Sequence, residues 1–332
     1  MKKLVDALHG AGKGVEVLGD RVAILPFSGR VLGIFPTPDV NVLWTNTALE
    51  GPDTAKALWA EDGWINPGGI RAWISPECET HVSDPGRFWD TYVVPSTVDP
   101  GNYRVSTTDE KSVSLEIEMQ PMFYRHGIEV PLHLHRKFSL MESAGMAIPS
   151  EVAFAGIKIE SVLSFIGDGP DGVRPGLWTL VQVPGGGEIR VPVKDKAKPV
   201  TMFGNPEISS EGGHIRCKVE TDENYKFSLH ADDCRGVMCY MKPDGNKSTL
   251  IVVRLPVLEQ ALYADTPATD LNDTGHAQQV YVDNGDMGGF GELEYHTPTL
   301  EKGLRDEIKD SGDIRTFVGP VEAIQDVLGK VL

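Results

Sequence analysis

The sequence has few cysteines, and they are not spaced like metal ligands or paired cysteines. Its four cysteines, Cys78, Cys217, Cys234 and Cys239, include no pair separated by two residues. Structural zinc sites and small disulfide-rich domains both depend on close, repeated cysteine spacing. The pattern therefore favours free thiols in a reducing compartment.

Long apolar runs are also missing. No stretch approaches the roughly 18 consecutive apolar residues of a membrane-spanning helix. Two lysines follow Met1, and a polar stretch broken by glycines comes after them, where a secretory signal needs an apolar core of roughly 7 to 15 residues. We therefore predict a cytoplasmic protein without a membrane partner.

Clusters of positive charge are absent as well. Lys and Arg number 31 against 48 Asp and Glu, which gives a formal net charge of −17. No basic run of about five to eight residues offsets this charge, so the surface should repel a phosphate backbone. Nucleic acid is therefore not a predicted partner, and the sequence leaves the oligomeric state open.

Short alternating apolar runs and many turn residues make up most of the chain. Runs such as GIKIESVLSFI, GLWTLVQVP and YKFSLH are separated by turn signals such as GDGPDG and KPDGNKS, a pattern typical of antiparallel strands. Residues 1 to 9 and the C-terminal segment GPVEAIQDVLGKVL have helical character. The sequence predicts a single all-β domain over residues 1–332, a large antiparallel supersandwich with short terminal helices.

The segment GGFGELEYHTP, residues 288 to 298, carries two carboxylates and an imidazole at alternate positions. In a strand, Glu292, Glu294 and His296 share one face, with neighbours roughly 6.5 to 7 Å apart. In a cleft, mutual repulsion would raise the pKa of one carboxylate and provide both an acid and a base. The alternative is a solvated edge strand.

The segment NPGGIRAWISPE, residues 66 to 77, places Arg71 and Trp73 on one face of a predicted strand. A guanidinium can donate two hydrogen bonds to vicinal hydroxyls or a carboxylate, and an indole can stack on the C–H face of a sugar. The alternative is a core tryptophan beside a structural ion pair.

His133 and His135 alternate on another predicted strand, after Gly127, like the first half of a cupin metal motif. The glutamate expected next is absent, because Glu142 comes too late, and no second half follows. We therefore predict no metal or other cofactor. A structural role, a surface role or a sugar contact stays open for both histidines.

Four segments together resemble the galactose-mutarotase-like β-supersandwich superfamily, in particular its bacterial branches related to aldose 1-epimerase. These segments are LPFSGRVLGI, GGIRAWISPE, GLWTLVQVP and QQVYVDNGDMGGFGELEYHTPTLEKG. The resemblance implies a sugar isomerase whose catalytic base is a late-strand glutamate followed shortly by a proline. Glu294, four residues before Pro298, matches that position; Glu292 is the second choice, and Arg71 matches the sugar-binding arginine.

The chain departs from the resemblance at the central strand. There the epimerases carry an acidic histidine, whereas GLWTLVQ has Trp178 or Thr179. His133, His135, His230 and His296 are the alternatives for the general acid, and we favour His135. The residues predicted to bind the sugar are Arg71, Trp73, Arg136, Trp178, Gln182 and His296.

Two other functions stay open at this point. The same scaffold supports β-elimination on a uronate glycan, in which Arg71 and Arg136 would stabilise an enolate, and it also supports non-catalytic carbohydrate binding through Trp73 and Trp178. In each case the predicted partner is a small-molecule sugar or an oligosaccharide, whose identity the sequence does not specify.

Overall fold

The computed structural model describes residues 1–267 and 272–332, and most of its strands form two large antiparallel sheets, with strands numbered here in chain order. From edge to edge, the nine-stranded sheet contains β1 (Glu16–Leu18), β2 (Val22–Leu25), β3 (Arg30–Ile34), β4 (Ile70–Ser75), β11 (Gly176–Pro184), β20 (Phe290–His296), β19 (His276–Val282), β16 (Tyr225–His230) and β13 (Val200–Phe203).

The second sheet has ten strands. From edge to edge it contains β14 (Ile208–Glu211), β15 (His214–Lys218), β12 (Glu188–Pro192), β17 (Val237–Asp244), β18 (Lys247–Arg254), β21 (Glu307–Pro320), β10 (Ala153–Phe165), β9 (Leu132–Leu140), β6 (Ser112–Met119) and β5 (Arg104–Thr108). A separate two-stranded ribbon pairs β7 (Met122–Phe123) with β8 (Ile128–Glu129).

Helices are few and short. The α-helices are α1 (Lys2–Gly10), α2 (Pro52–Leu58), α3 (Glu77–Thr80) and α4 (Val321–Val331). Single 3₁₀ turns cover Pro26–Ser28, Thr47–Glu50, Pro85–Arg87, Trp89–Thr91 and Ala231–Asp233. None of the helices in the described ranges has the length and apolar character needed to cross a membrane.

Alternating side chains explain how the two sheets pack. Leu293 and Tyr295 of β20 belong to the same buried cluster as Ile157 of β10 and Ile314 of β21. Because successive strand residues point to opposite faces, the residues between them on β20 face away from the second sheet. The polar residues of the GELEYH segment therefore lie on the outer face of the nine-stranded sheet.

The structure confirms the predicted fold class and the terminal helices. Strands β11 and β16 cover the GLWTLVQVP and YKFSLH runs in full. Helix α4 begins directly after Pro320 and buries Ile324, Val327 and Leu328. That all 332 residues form one domain stays a prediction.

The longest strand, β21, is absent from the sequence prediction. It covers 14 residues and lies between β18 and β10. Its inward positions include Asp310 and Gly312 as well as Ile308 and Ile314, so its apolar alternation is interrupted. Asp310 is buried inside the sandwich, and this burial raises its pKa to about 6.

Candidate functional site

A cavity of about 440 Å³ opens on the outer face of the nine-stranded sheet. Its floor comes from strands β4, β11, β16, β19 and β20, and its walls come from the connections around residues 64, 77 to 94 and 287. The charged residues that line it are Arg71, Glu77, Lys226, Glu292 and Glu294. The aromatic residues that line it are Trp64, Trp73, Trp89, Tyr92, Trp178, Phe203, Tyr281 and Phe290.

Strand order brings early, central and late parts of the chain together in this cavity. Strand β11 pairs with β4 on one side and with β20 on the other. In register, Trp178 lies opposite Trp73, and Leu180 lies between Arg71 and Glu294. Arg71, Trp73, Trp178 and Glu294 therefore line one concave surface, as the sequence analysis expected of a sugar site.

Glu294 lies at the floor of the cavity with one oxygen firmly held. The indole Nε1 of Trp178 donates a hydrogen bond to its Oε2 at 2.7 Å, and Lys226 Nζ lies 3.0 Å from the same oxygen. Within the described part of the chain, the other oxygen, Oε1, has no hydrogen-bond partner. The carboxylate is thus fixed in orientation and leaves one oxygen for a ligand.

The electrostatic surroundings perturb both members of the Lys226–Glu294 pair. Burial is the main cause that raises the pKa of Glu294 above its ordinary value, and Glu292 and Glu77 add to the rise while Lys226 opposes it. Burial lowers the pKa of Lys226, but the nearby Glu294, Glu77 and Asp265 raise it by more, so that its net shift is upward. Lys226 therefore remains an ammonium group next to a carboxyl group of increased basicity.

Lys226 is a central site residue that the sequence analysis missed. Besides Glu294, its Nζ contacts Glu77 Oε2 at 3.2 Å and lies over the Trp178 ring at 4.3 Å. It is 2% exposed. The only sequence signal was a lysine between Tyr225 and Phe227 in the run YKFSLH, at a position where a strand buried on both faces would carry an apolar residue.

Arg71 and Glu292 form a second buried ion pair in the lining. The Nη1 atom of Arg71 lies 2.9 Å from Glu292 Oε1, and Gln182 Nε2 donates to that oxygen at 2.9 Å. The guanidinium also stacks over the Trp73 ring at 4.3 Å. Arg71 is thus held between the Glu292 carboxylate and the Trp73 ring, and Gln182 fixes the Glu292 carboxylate.

Asp99, which the sequence analysis did not single out, fixes two tryptophans of the cavity wall. Its Oδ2 accepts hydrogen bonds from the indole nitrogens of Trp64 and Trp73, each at 2.9 Å, and it pairs with the buried Arg30. Although burial raises it, these partners hold the pKa of Asp99 below its ordinary value. Asp99 comes from an irregular connection, so strand periodicity gave no signal for it.

At the cavity mouth lies an exposed indole. Trp89 is 62% exposed, and its ring packs edge-on against Phe203 at 5.0 Å. Large aromatic side chains are seldom left so open on a surface unless they contact a ligand or a partner. Trp89 and the deeper Trp178 therefore offer aromatic faces at both ends of the cavity.

Two predicted substrate-binding residues lie beneath the lining instead of in it. His296 is fully buried and stacks on Trp178 at 5.4 Å with 17° between the rings. Burial, followed by the nearby Lys226, lowers the pKa of His296 well below its ordinary value, so its imidazole is neutral. His296 and Gln182 therefore support lining residues, and the prediction that they contact the sugar directly is corrected.

His135 and Arg136 do not belong to this cavity, which corrects their predicted roles as general acid and sugar ligand. Both lie on β9 of the ten-stranded sheet. Arg136 is fully buried and donates to the Gly29 carbonyl oxygen at 3.0 Å. His135 alternates with the core-facing Leu134 and Arg136, so it points away from the nine-stranded sheet. His133 shares that outward face, where it lies 3.8 Å from Glu116.

Two solved structures share this fold. A candidate aldose 1-epimerase of Escherichia coli K12 has a TM-score of 0.54 at 10% sequence identity, over 93% of this chain and 99% of that chain. The Slr1438 protein of Synechocystis sp. PCC 6803 has a TM-score of 0.54 at 12% identity, over 90% of this chain and 91% of that chain. No protein-family model and no curated protein matches the sequence. The chain has the galactose-mutarotase-like supersandwich fold, as its sequence predicted.

Proposed function

We propose that this protein is an enzyme that acts on a free or modified sugar in an epimerase-like reaction, with Glu294 as the general base. One observation carries the proposal: Arg71, Trp73, Trp178 and Glu294, which come from three distant segments, line a single cavity. The cavity volume of about 440 Å³ falls within the range of small-molecule sites.

The cavity offers both types of contact that a sugar ring needs. The indole faces of Trp73 and Trp178 can stack on the C–H face of a ring. Arg71 is preorganised to donate hydrogen bonds to neighbouring hydroxyls, because Glu292 and the ring of Trp73 hold its guanidinium in place. These contacts would bind the ring with its anomeric carbon near Glu294.

Glu294 would start the reaction through its free oxygen. Oε1 takes the proton of the anomeric hydroxyl while the bond between C1 and the ring oxygen breaks, so that C1 becomes a carbonyl carbon and the ring oxygen an alkoxide. Rotation about C1–C2 and reclosure then give the other anomer, and Glu294 returns the proton to the carbonyl oxygen when the alkoxide attacks C1 again. The raised pKa of Glu294 strengthens it as a base once it is deprotonated.

Lys226 would assist at the ring oxygen. The strand position that the resemblance assigns to an acidic histidine holds Trp178 or Thr179, and Lys226 from β16 lies over the Trp178 indole at 4.3 Å. Because nearby carboxylates raise its pKa, Lys226 is suited to hydrogen bonding and charge stabilisation on the departing ring oxygen more than to full proton transfer.

The direct test is interconversion of anomers, followed by polarimetry and one-dimensional NMR on a panel of aldoses, sugar acids and keto-sugars. We expect at least one sugar to equilibrate faster with the protein than without it. Glu294→Gln should abolish the acceleration. Glu118→Gln is the matched control, because Glu118 is an exposed strand glutamate of the other sheet. No acceleration for any sugar, or full activity in Glu294→Gln, would refute the proposal.

Non-catalytic sugar binding is the second candidate, and one contact favours it. Lys226 lies 3.0 Å from Glu294 and could neutralise the carboxylate as a permanent ion pair. Calorimetry would then detect sugar binding without turnover, and Trp73→Ala would weaken binding more than Glu294→Gln. The lyase alternative fits less well, because three carboxylates face only two cations in the described lining and would repel a uronate.

A further inference from the structure

A cluster of two histidines and an aspartate lies outside the sugar cavity. His230 ends β16, His276 begins β19, and Asp273 lies in the turn just before β19. Their potential ligand atoms all lie within 4.8 Å of one another. Among the described residues, no other group of three histidine, cysteine or acidic side chains meets that spacing.

Each histidine of the cluster lies at nearly the distance from the carboxylate that two ligands of one metal ion would have. His230 Nδ1 lies 3.5 Å from Asp273 Oδ1, and His276 Nε2 lies 3.5 Å from Asp273 Oδ2. A tetrahedral ion with bonds of about 2.0 to 2.1 Å separates its ligand atoms by about 3.4 Å. The two imidazoles stack with their ring centroids 4.2 Å apart and 29° between the rings, so one ring would have to rotate before both could face the same ion.

His276 gives an independent indication that a ligand belongs here. Its side chain is 0% exposed, and within the described ranges neither ring nitrogen has a hydrogen-bond partner of good geometry. The 3.5 Å contact with Asp273 compensates only partly for the hydration that this buried imidazole loses, and a metal ion would supply a stronger partner.

The cluster can be reached by an ion from solvent, and its carboxylate is held in a fixed orientation. His230 is 34% exposed at its side chain, so an ion can enter from solvent. The Gly275 N–H donates to Asp273 Oδ1 at 2.8 Å, which fixes the carboxylate. The Gly275 carbonyl oxygen lies 3.3 Å from His230 Nδ1, and this contact would have to give way, or supply a further oxygen ligand, when the metal binds.

We propose that His230, Asp273 and His276 form a binding site for a divalent transition metal such as Zn²⁺, with a remaining position open to water. Two imidazoles and a carboxylate are a ligand set that suits zinc. The ion would tie the end of β16 to the start of β19, two neighbouring strands that also supply Lys226 and Tyr281 to the cavity. Its role would be to stabilise that edge of the sheet.

The test is a zinc titration of the metal-free full-length protein by calorimetry, with Co²⁺ absorption as a second readout of tetrahedral coordination. We expect one saturable site in the unaltered protein. His230→Ala and Asp273→Asn should each weaken zinc binding by about 100-fold or more. His133→Ala is the matched control, because His133 is a similarly exposed histidine beside a carboxylate, and it should bind zinc normally.

Asp273→Asn distinguishes the loss of a metal ligand from the loss of folding. Its amide oxygen can still accept the Gly275 N–H, so the turn is kept while the charge is removed. Circular dichroism and thermal unfolding would verify that each variant is folded, and zinc should raise the Tm of the unaltered protein and of His133→Ala but not that of His230→Ala or Asp273→Asn. Absence of saturable binding, equal affinity in Asp273→Asn, or loss of binding in Glu294→Gln instead would overturn the proposal.

Discussion

The indole nitrogen of Trp178 donates a hydrogen bond to Oε2 of Glu294 at 2.7 Å. The bond joins the central strand to a neighbouring late strand at the floor of the cavity. Because Lys226 contacts the same oxygen, Trp178 and Lys226 together fix the carboxylate, and its other oxygen has no hydrogen-bond partner among the described residues. In this chain, Trp178 thus positions the proposed base.

Replacing this indole with a ring that cannot donate should reduce turnover. We expect Trp178→Phe to lower kcat by about 10- to 100-fold, because a hydrogen bond to a charged group contributes about 1.5 to 3 kcal/mol. KM should change little, since an aromatic face remains. Steady-state polarimetry with the best sugar of the panel measures both. A rise in KM at constant kcat would show that Trp178 only binds substrate.

Much of the cavity could be predicted from the sequence because it depends on strand alternation. The period of two residues correctly placed Arg71 with Trp73, and Glu292 with Glu294, on shared faces. The resemblance to the mutarotase-like superfamily then grouped these two strands with GLWTLVQVP, the sequence of β11, in one predicted site. Lys226 could not be found in this way, since nothing local indicates that β16 lies two strands away from β20.

The incorrect predictions for His135 and Arg136 also follow from relying on strand alternation. Alternation predicts which residues of a strand share a face, but not the sheet that the strand joins. His135 and Arg136 were assigned to a sugar site although β9 belongs to the opposite sheet. Likewise, His230 and His276 come from separate strands, so their proximity depends on strand pairing and no sequence spacing could reveal it.

Removal of the Lys226 ammonium should destabilise the protein as well as inactivate it. Lys226→Met leaves the buried Glu294 and the half-buried Glu77 without their cation, and loss of one partner of a buried ion pair costs about 3 to 5 kcal/mol. We expect a decrease of that size in the free energy of unfolding, measured by urea denaturation.

The same substitution at Lys158, whose pair with Glu160 is exposed, serves as the control and should leave the urea midpoint nearly unchanged. The double variant Lys226→Met with Glu294→Gln should regain part of the lost stability, because one buried charge is removed. If the double variant is no more stable than the single one, the two residues are not electrostatically coupled.

The raised pKa of Glu294 predicts an unusual pH dependence. A base must be deprotonated, so kcat/KM should rise with pH through the pKa of Glu294 in the free enzyme. Since that pKa lies above the ordinary glutamate value of about 4.3, activity should still be increasing with pH where a normal carboxylate has fully ionised. A pH–rate profile that is already flat above about pH 5 would contradict this.

Neutralising Glu292 should move that profile in a defined direction. The negative charge of Glu292 is one cause of the raised Glu294 pKa, and it also pairs with Arg71. Glu292→Gln removes the repulsion and frees the Arg71 cation, and both effects favour ionised Glu294. The rising limb of kcat/KM should therefore shift to lower pH, whereas the exposed Glu118→Gln variant should keep the original profile.

Asp99 tests whether Trp64 and Trp73 need a hydrogen-bond acceptor behind the cavity lining to keep their orientation. Asp99 holds Trp64 and Trp73 through their indole nitrogens and neutralises the buried Arg30. Asp99→Asn keeps the size of the side chain but leaves Arg30 without its charge partner, which should cost about 3 to 5 kcal/mol in the free energy of unfolding. Chemical denaturation measures that loss directly.

The same variant should weaken sugar binding, because a neutral amide oxygen holds the Trp73 indole less firmly than the carboxylate does, and the Arg71 guanidinium packs on that ring. We therefore expect KM to rise while kcat changes little, since Glu294, Trp178 and Lys226 are untouched. Asp84→Asn, which alters an exposed aspartate–arginine pair, should leave the denaturation midpoint and KM unchanged. An Asp99→Asn protein with lower stability but normal KM would show that Asp99 supports the fold without ordering the sugar-binding wall.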